Sequence, residues 1–201
     1  MKLIIITLED IIENEAYILN RLFEEGLLIL HLRKPLSTEQ EVYCLISQIN
    51  VEYHNRIVLH DHFSLVNSFN LKGVHLNSRN ENCPDKVLSS VSRSCHSIEC
   101  LELSDNFDYV FLSPVFDSIS KSGYNHAFTV EQLTEAKNQK IITKKVIALG
   151  GINTETIPQV ASYGFGGVAV LGGLWLNFKA DRNETNLLKR FNHFQLICNQ
   201  Q

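Results

Sequence analysis

Short runs of Ile, Val and Leu recur along the chain and alternate with longer stretches in which apolar residues follow helical spacing. The short runs predict eight strands, at residues 3–7, 27–32, 56–60, 73–76, 91–95, 109–112, 145–149 and 167–171. The longer stretches predict helices at residues 11–23, 38–49, 130–138, 154–163 and 183–197, with room for only short helices at 64–70 and 83–90. Strands that alternate with helices indicate a parallel sheet with right-handed crossovers.

Eight strand and helix units of about 25 residues each predict an α/β fold, a single (β/α)8 TIM barrel with residues 1–201 as one domain. No G-x-G-x-x-G motif follows the first strand, which disfavours an open, doubly wound sheet. Two predicted helices begin with the capping-box pattern, Ser37 with Gln40 and Thr129 with Gln132. Side chains in this pattern satisfy first-turn amides, so both helix starts gain support.

Overall charge and cysteine spacing disfavour several classes of function. The formal charge of −4 offers no basic surface for nucleic acid. The five cysteines are scattered and never spaced as C-x-x-C, so neither a disulfide framework nor a zinc site is predicted. No stretch approaches the length of a membrane span, and the first apolar run is too short for a signal-peptide core. We therefore expect a cytoplasmic protein without a membrane partner.

Polar side chains follow several of the predicted strands. In a barrel the residues just past the strands share one mouth, so these side chains can converge although they are distant in sequence. Any one of them alone is equally typical of a solvated loop end. They are His31, Arg33 and Lys34 after the second strand, His60, Asp61 and His62 after the third, Ser94 and His96 after the fifth, and Ser118, Ser120, Lys121 and His126 after the sixth.

Two glycine pairs follow the last two predicted strands. Gly150 and Gly151 come after the seventh strand, and Gly172 and Gly173 come after the eighth, each pair before a predicted helix. Bare backbone amides at a helix N-terminus attract an anion, and the loops after strands seven and eight form the usual phosphate site of a barrel. The pairs therefore predict a phosphate-binding site, although two tight turns would give the same residues.

A series of short motifs runs in order along nearly the whole chain. The motifs are Arg33-Lys34, Leu59-His60-Asp61, Gly73-Val74-His75-Leu76, Ser94-Cys95-His96, Asp108-Tyr109-Val110, Pro114-Val115-Phe116 with Ser118, Ser120 and Lys121, Ala148-Leu149-Gly150-Gly151-Ile152, and Gly167-Val168-Ala169-Val170. No single motif is specific to a family, but their combination in this order is. By these motifs the chain resembles the thiamine phosphate synthase and thiazole tautomerase family over nearly its whole length.

The resemblance implies a reaction between two small molecules. A hydroxymethylpyrimidine diphosphate ionises with loss of pyrophosphate, and the nitrogen of a thiazole phosphate captures the cation. Arg33 and Lys121 match the family's diphosphate ligands, and Asp61 matches a Mg²⁺ ligand. Mg²⁺ is thus the implied cofactor, and a homo-oligomer is possible. The hydroxyl positions that match substrate contacts are Ser94, Ser118 and Ser120.

Several positions depart from the family pattern. The family's Gln before the arginine is His31, its Asn before the metal aspartate is His60, and its second metal aspartate falls on Asn80. Mg²⁺ would therefore keep one carboxylate and one neutral amide oxygen. The family's lysine position holds Pro35, but a one-residue deletion would bring Lys34 into that role. The serine after the eighth strand has become Gly172.

These departures leave two other functions open. The tautomerase branch of the family isomerises a thiazole carboxylate phosphate, a proton shift that needs neither diphosphate nor metal and suits a histidine acid–base. A third possibility is a barrel that binds thiamin intermediates without turnover. His75 lies on a family-wide motif and is predicted to be structural. The candidate acid–base residues are His31, His60, His62, His96 and His126.

Overall fold

Eight parallel strands close into a barrel in sequential order in the computed structural model, which describes residues 1–84, 90–116 and 128–201. The first and last strands pair, with Ile4 beside Ala169. The (β/α)8 fold predicted from the sequence is therefore confirmed. The strands are β1 (Lys2–Ile6), β2 (Ile29–Leu32), β3 (Ile57–Leu59), β4 (Gly73–Leu76), β5 (Ser90–Cys95), β6 (Tyr109–Leu112), β7 (Val146–Leu149) and β8 (Gly167–Val170).

The helices surround the strands and bury their apolar faces against them. A 3-10 helix, Val51–Arg56, precedes β3. None of the helices in the described residues is long and apolar enough to cross a membrane. The α-helices are α1 (Glu15–Glu24), α2 (Glu39–Ser47), α3 (Leu65–Ser68), α4 (Ile98–Glu102), α5 (Val130–Asn138), α6 (Ile157–Ser162), α7 (Gly172–Asp181) and α8 (Glu184–Asn199).

One of the two predicted capping boxes is confirmed and the other is wrong. Thr129 caps α5, and its hydroxyl accepts from the Gln132 amide while the Gln132 side chain accepts from the Thr129 amide. At α2, however, the cap is Thr38 rather than Ser37, and its partner is Glu41 rather than Gln40. The amide of Ser37 instead donates to the carbonyl of Lys34 in a turn, so the helix begins one residue later than predicted.

Local turns also shorten two helices at their N-termini. Asn14 has a left-handed backbone, with φ 57°, which an α-helix does not include, so α1 begins at Glu15 rather than at residue 11. At α6, the side-chain oxygen of Asn153 accepts from the amides of Glu155 and Thr156. This turn holds residues 153–156 outside the helix, which begins at Ile157.

The barrel interior is apolar on one side and polar on the other. Successive strand residues point to opposite faces, so every second residue faces the barrel axis. The strands β1, β7 and β8 contribute Ile4, Ile6, Ile147 and Ala169 to an inner apolar cluster. The inner polar side chains lie on β2 to β6 or directly after them and are His31, His60, His75, Ser92, Ser94 and Tyr109.

Candidate active site

Arg33 stands at the mouth of the barrel, just past the end of β2. Its backbone is held by Thr7, whose hydroxyl accepts from the Arg33 amide at 3.0 Å and donates to the Arg33 carbonyl at 3.2 Å. Its guanidinium pairs with Glu9, with Nη1 2.6 Å from Oε1. The side chain keeps 23% of its surface exposed, so the guanidinium can also reach a ligand at the mouth.

Lys34 is held in a buried ion pair. Its Nζ lies 2.7 and 2.8 Å from the two carboxylate oxygens of Glu15, and it also donates to the carbonyls of Leu8 and Asp10. Both side chains of the pair are 1% exposed. Burial lowers the pKa of Lys34 and raises the pKa of Glu15, and the attraction between the two charges opposes both shifts. The ammonium thus supports the loop that follows β1.

A tight turn after β4 brings Arg79 and Asn80 to Asp61. Backbone hydrogen bonds between Asn77 and Asn80 close the turn, and the Asn77 side chain accepts from the Arg79 amide. Asp61 Oδ1 then accepts from Arg79 Nε and Nη2 at 3.3 and 3.2 Å, and from Asn80 Nδ2 at 3.2 Å. Asp61 Oδ2 accepts from the backbone amide of Lys34 at 3.2 Å. Both oxygens of the carboxylate therefore have N–H donors.

This donor set does not fit Mg²⁺ in the arrangement described. Mg²⁺ requires oxygen ligands in octahedral geometry, whereas both Asp61 oxygens accept N–H groups and the amide nitrogen of Asn80 faces the carboxylate. The guanidinium of Arg79 also neutralises Asp61 and would repel a cation at that position. Asp61 and Asn80 do come together as predicted, but as part of an ion pair with Arg79.

Three histidines form a buried cluster inside the barrel. His31 Nδ1 and His60 Nε2 lie 2.8 Å apart and share a hydrogen bond, and His31 Nε2 lies 2.7 Å from the hydroxyl of Tyr109. His75 bonds the hydroxyls of Ser92 and Ser94 at 2.8 and 2.9 Å and stacks on His60 at 4.3 Å between ring centroids. His75 pairs with Ser92 in the register of β4 and β5, so the two side chains lie at the same height along the barrel axis.

Burial keeps the three imidazoles neutral. It lowers the pKa of His75 to about 3, and it lowers the pKa of His31 and of His60 well below their usual range. The neighbouring histidines and then the charges of Arg33 and Arg79 lower the pKa of His60 further. Both arginines therefore act electrostatically on the imidazole that lies nearest the mouth.

His96 stands at the exposed end of β5. Its Nδ1 lies 2.9 Å from the carbonyl oxygen of Ser113, which places the ring proton on Nδ1 and leaves Nε2 as an acceptor. Ser94 precedes it by two residues and is partly exposed, while its hydroxyl bonds His75. His96 is thus the exposed imidazole of this strand end, with its tautomer fixed by the backbone.

The two glycine loops touch each other. A side-chain carbon added at Gly173 would lie 2.9 Å from the carbonyl oxygen of Ile152, which belongs to the other loop. Gly150 and Gly151 have positive φ angles of 96° and 64°, which glycine adopts without strain. Among the described residues, the amides of Gly151, Gly172 and Gly173 have no hydrogen-bond partner. Since α7 begins at Gly172, these amides lie at a helix N-terminus, an arrangement that favours an anion.

Residues 3–174 match the family model described as "Thiamine monophosphate synthase". The chain belongs to this family. Thiamine-phosphate synthase of Clostridium tetani is 24% identical over 183 residues, which cover 84% of this chain and 85% of that protein. Thiamine-phosphate synthase of Klebsiella pneumoniae is 27% identical over 180 residues, covering 83% of each chain. The protein is accordingly an enzyme of thiamin biosynthesis that resembles thiamine phosphate synthase.

Solved structures agree with this membership. The thiamine phosphate pyrophosphorylase of Bacteroides thetaiotaomicron has 42% sequence identity and a TM-score of 0.91, covering 100% of this chain and 99% of that one. A Pyrococcus furiosus protein of the same title has a TM-score of 0.76 at 20% identity, covering 99% of this chain and 96% of that one. At 20% identity, the similarity to the P. furiosus protein shows the fold alone.

Two of the residues that the family resemblance assigned to the site have other surroundings. The sequence argument brought Lys34 to the family's catalytic lysine position by a one-residue deletion and placed His31, at the family's Gln position, among the substrate-binding residues. The Lys34 ammonium is instead bound to Glu15, and His31 is fully buried between His60 and Tyr109. In this arrangement the ammonium is already paired and the imidazole is enclosed, and both assignments stay predictions. His75 has the buried surroundings expected of a structural residue.

Other predicted residues lie elsewhere or cannot be placed. His62 Nε2 bonds the carbonyl of Ser37 at 2.8 Å, so it belongs to the loop after β3. Arg79 and Glu15 were missed by the sequence argument, although Arg79 directly precedes the position where the family carries its second metal aspartate. The predicted residues outside the described part of the chain are Ser118, Ser120, Lys121 and His126.

Proposed function

We propose that this protein joins a hydroxymethylpyrimidine diphosphate to a thiazole phosphate and releases pyrophosphate. The observation that carries the proposal is the pair of touching glycine loops, whose unpartnered amides lie at the mouth that also holds Arg33. The names of the relatives support it, since those from C. tetani and K. pneumoniae are thiamine-phosphate synthases and the B. thetaiotaomicron structure is a thiamine phosphate pyrophosphorylase.

The glycine loops suit the phosphate of the thiazole. Three backbone amides and the positive end of α7 offer donors to phosphate oxygens without a competing side chain. We assign this phosphate to Gly150, Gly151, Gly172 and Gly173. The thiazole ring would then extend toward the polar side of the barrel mouth, where the Ser94 hydroxyl is held by His75.

Positive charge at the mouth suits the leaving group. In the reaction the C–O bond between the pyrimidine methylene and the diphosphate breaks, and its electron pair leaves with the diphosphate. The thiazole nitrogen then supplies the pair for the new C–N bond. Arg33 can bind the diphosphate oxygens as their charge grows. Lys121 stays a predicted second ligand for the same group.

Thiamine-phosphate synthases are generally Mg²⁺-dependent. We derive no step through Mg²⁺ in this chain, because Asp61 accepts N–H groups on both oxygens and is paired with Arg79. Asp61 and Asn80 stay predicted metal positions only if the diphosphate itself displaces the arginine.

The first prediction tests the assignment of Arg33. Arg33→Ala should weaken binding of the pyrimidine diphosphate by ~10- to 100-fold, because a charged hydrogen-bond partner is worth about 1.5–3 kcal/mol. Binding of thiazole phosphate should change little. Titration calorimetry with each ligand measures both effects. Arg56→Ala is the control, since Arg56 precedes β3 at the other end of the barrel and bonds the Leu27 carbonyl. Equal losses of affinity for both ligands would show that Arg33 is not a ligand of the diphosphate.

The second prediction uses the two adjacent glycines. Gly173→Ser should weaken thiazole phosphate binding about tenfold or more, because its Cβ would lie 2.9 Å from the Ile152 carbonyl oxygen and displace the loop. Gly172→Ser should leave the loop in place and weaken binding less, since nothing lies within 4 Å of its added carbon. Calorimetry with thiazole phosphate compares the two. If both variants bind as the wild type does, the phosphate is not held by these amides.

Tautomerisation of a thiazole carboxylate phosphate is a second candidate, supported by His96. His96 is exposed, and because Nδ1 faces the Ser113 carbonyl, Nε2 is the nitrogen that accepts a proton. His60 remains a predicted partner in proton transfer. His96→Asn should abolish isomerisation of the carboxylate and spare pyrophosphate release. If neither reaction occurs although thiazole phosphate binds, the protein is a non-catalytic binder.

Three broader expectations accompany this proposal. We propose that the reaction takes place in the cytoplasm, that residues 1–201 act as one domain, and that the ligands are small molecules rather than nucleic acid. A homo-oligomer stays possible. Fractionation of cells and light scattering of the purified protein measure location and size.

A further inference from the structure

The ion pair between Asp61 and Arg79 occupies the place where the family resemblance implies a metal. Arg79 Nε and Nη2 both face Asp61 Oδ1, at 3.3 and 3.2 Å. The Asp61 side chain is 10% exposed, whereas that of Arg79 is 42% exposed. The carboxylate is therefore enclosed, and the guanidinium covers it on the side of the solvent.

The charge at this place differs from that of a site with two carboxylates. Two carboxylates sum to −2 and attract a divalent cation. Asp61 and Arg79 sum to zero, and Asn80 adds no charge. A cation near Asp61 would have to displace a guanidinium from a paired, partly buried carboxylate. The Asp61–Arg79 ion pair thus disfavours a metal ion, and the Arg79 guanidinium supplies a positive charge at the position of the implied metal.

The arrangement of Arg79 also suits an anion. A guanidinium has five N–H donors in a planar fork, and only Nε and Nη2 face Asp61. Nη1 has no hydrogen-bond partner among the residues that the structure describes. The carboxylate holds the side chain and the Asn77 turn holds its backbone, so less entropy is lost when it binds a phosphate.

Arg79 shares the mouth with Arg33. The two residues follow different strands, β4 and β2, yet both loops meet at Asp61, which accepts from the backbone amide of Lys34, next to Arg33, and from the Arg79 guanidinium. Two guanidinium groups around one opening match the two phosphates of a diphosphate better than either would alone.

We propose that Arg79, held by Asp61, binds the diphosphate in the position of a divalent cation. This proposal rests on the proposed condensation, which it deepens by naming the group that neutralises the leaving pyrophosphate. Arg79 accepts no electrons and transfers no proton. It forms charged hydrogen bonds to the oxygens on which negative charge collects when the C–O bond breaks.

Binding of inorganic pyrophosphate in EDTA tests the proposal without any need for turnover. The wild type should bind pyrophosphate without metal, and Arg79→Gln should bind it ~10-fold more weakly or worse. Arg56→Gln is the matched control, because its guanidinium lies over the Tyr53 ring away from the mouth. Arg79 is exposed, so its replacement should leave the thermal midpoint close to that of the wild type.

A double variant provides the converse test. Arg79→Gln with Asn80→Asp places two carboxylates together and removes the guanidinium, so its pyrophosphate binding should become dependent on Mg²⁺. Wild-type protein that binds pyrophosphate only with Mg²⁺, or an Arg79→Gln variant that binds as tightly in EDTA, would overturn the proposal. Metal-free binding without condensation would instead refute the proposed function and leave the role of Arg79 standing.

Discussion

Acidification below about pH 6.5 should destabilise this protein steeply, by up to ~4 kcal/mol of unfolding free energy per pH unit. His31, His60 and His75 are buried and neutral, with pKa values below that of an unfolded histidine. Between pH 6.5 and the lowered folded pKa, which is about 3 for His75, the unfolded chain binds protons that the folded chain does not. The stability that the three neutral histidines contribute is therefore fully present above pH 6.5 and is lost as the pH falls toward their lowered pKa values.

Urea unfolding followed by circular dichroism at pH 7, 6 and 5.5 measures this slope. His75→Gln should be less stable at pH 7, because Ser92 and Ser94 lose their partner, but its slope should be lower by ~1.4 kcal/mol per pH unit. His193→Gln is the control, since His193 is exposed on α8 and should leave the slope unchanged. Equal slopes for wild type and His75→Gln would mean that His75 is not held neutral.

Lys34→Met should cost about 3–5 kcal/mol of stability, the range for removing one partner of a buried ion pair. Glu15 would keep a carboxylate that is 1% exposed, without its cation. Lys34→Met with Glu15→Leu should recover most of the loss, because apolar side chains of similar size fill the space without an unpaired charge. Urea midpoints at pH 7 compare the three proteins.

Lys137→Met is the control for this pair. Lys137 also donates to a carbonyl, that of Ser162, but at the surface, so its loss should stay within about 0.5 kcal/mol. Where Lys34→Met is still folded, its affinity for pyrophosphate should match the wild type, since the ammonium is already bound to Glu15 and two backbone carbonyls. A stable Lys34→Met variant that fails to bind pyrophosphate would contradict this purely structural role and place Lys34 in the diphosphate site.

The strands could be predicted well from the sequence because each is a short apolar run between polar segments. All eight predicted runs coincide with observed strands, within a few residues at their ends. The inner polar cluster could not be predicted in the same way. The β2 residues Leu30, His31 and Leu32 are all buried, so the pattern does not reveal that His31 alone faces the barrel axis.

The sequence also could not predict which side chains contact each other. The order of strands puts Arg33, Asp61 and Asn80 at the mouth, but it does not fix the direction of Lys34, which depends on a buried Glu15. An acidic residue in the first turn of a helix usually faces solvent, so Glu15 gave no signal. Arg79 gave a weak sequence signal, because it is a positive residue next to the position where the family's second metal aspartate is missing.

The most direct test of the proposed synthase activity is to incubate the purified protein with hydroxymethylpyrimidine diphosphate and thiazole phosphate and to follow both products. We expect thiamine phosphate, identified by its mass, to form in equal amount to the pyrophosphate released. The Arg33→Ala variant should form both more slowly at limiting diphosphate. Absence of thiamine phosphate at every substrate and Mg²⁺ concentration, from protein that still binds thiazole phosphate, would contradict the proposed condensation.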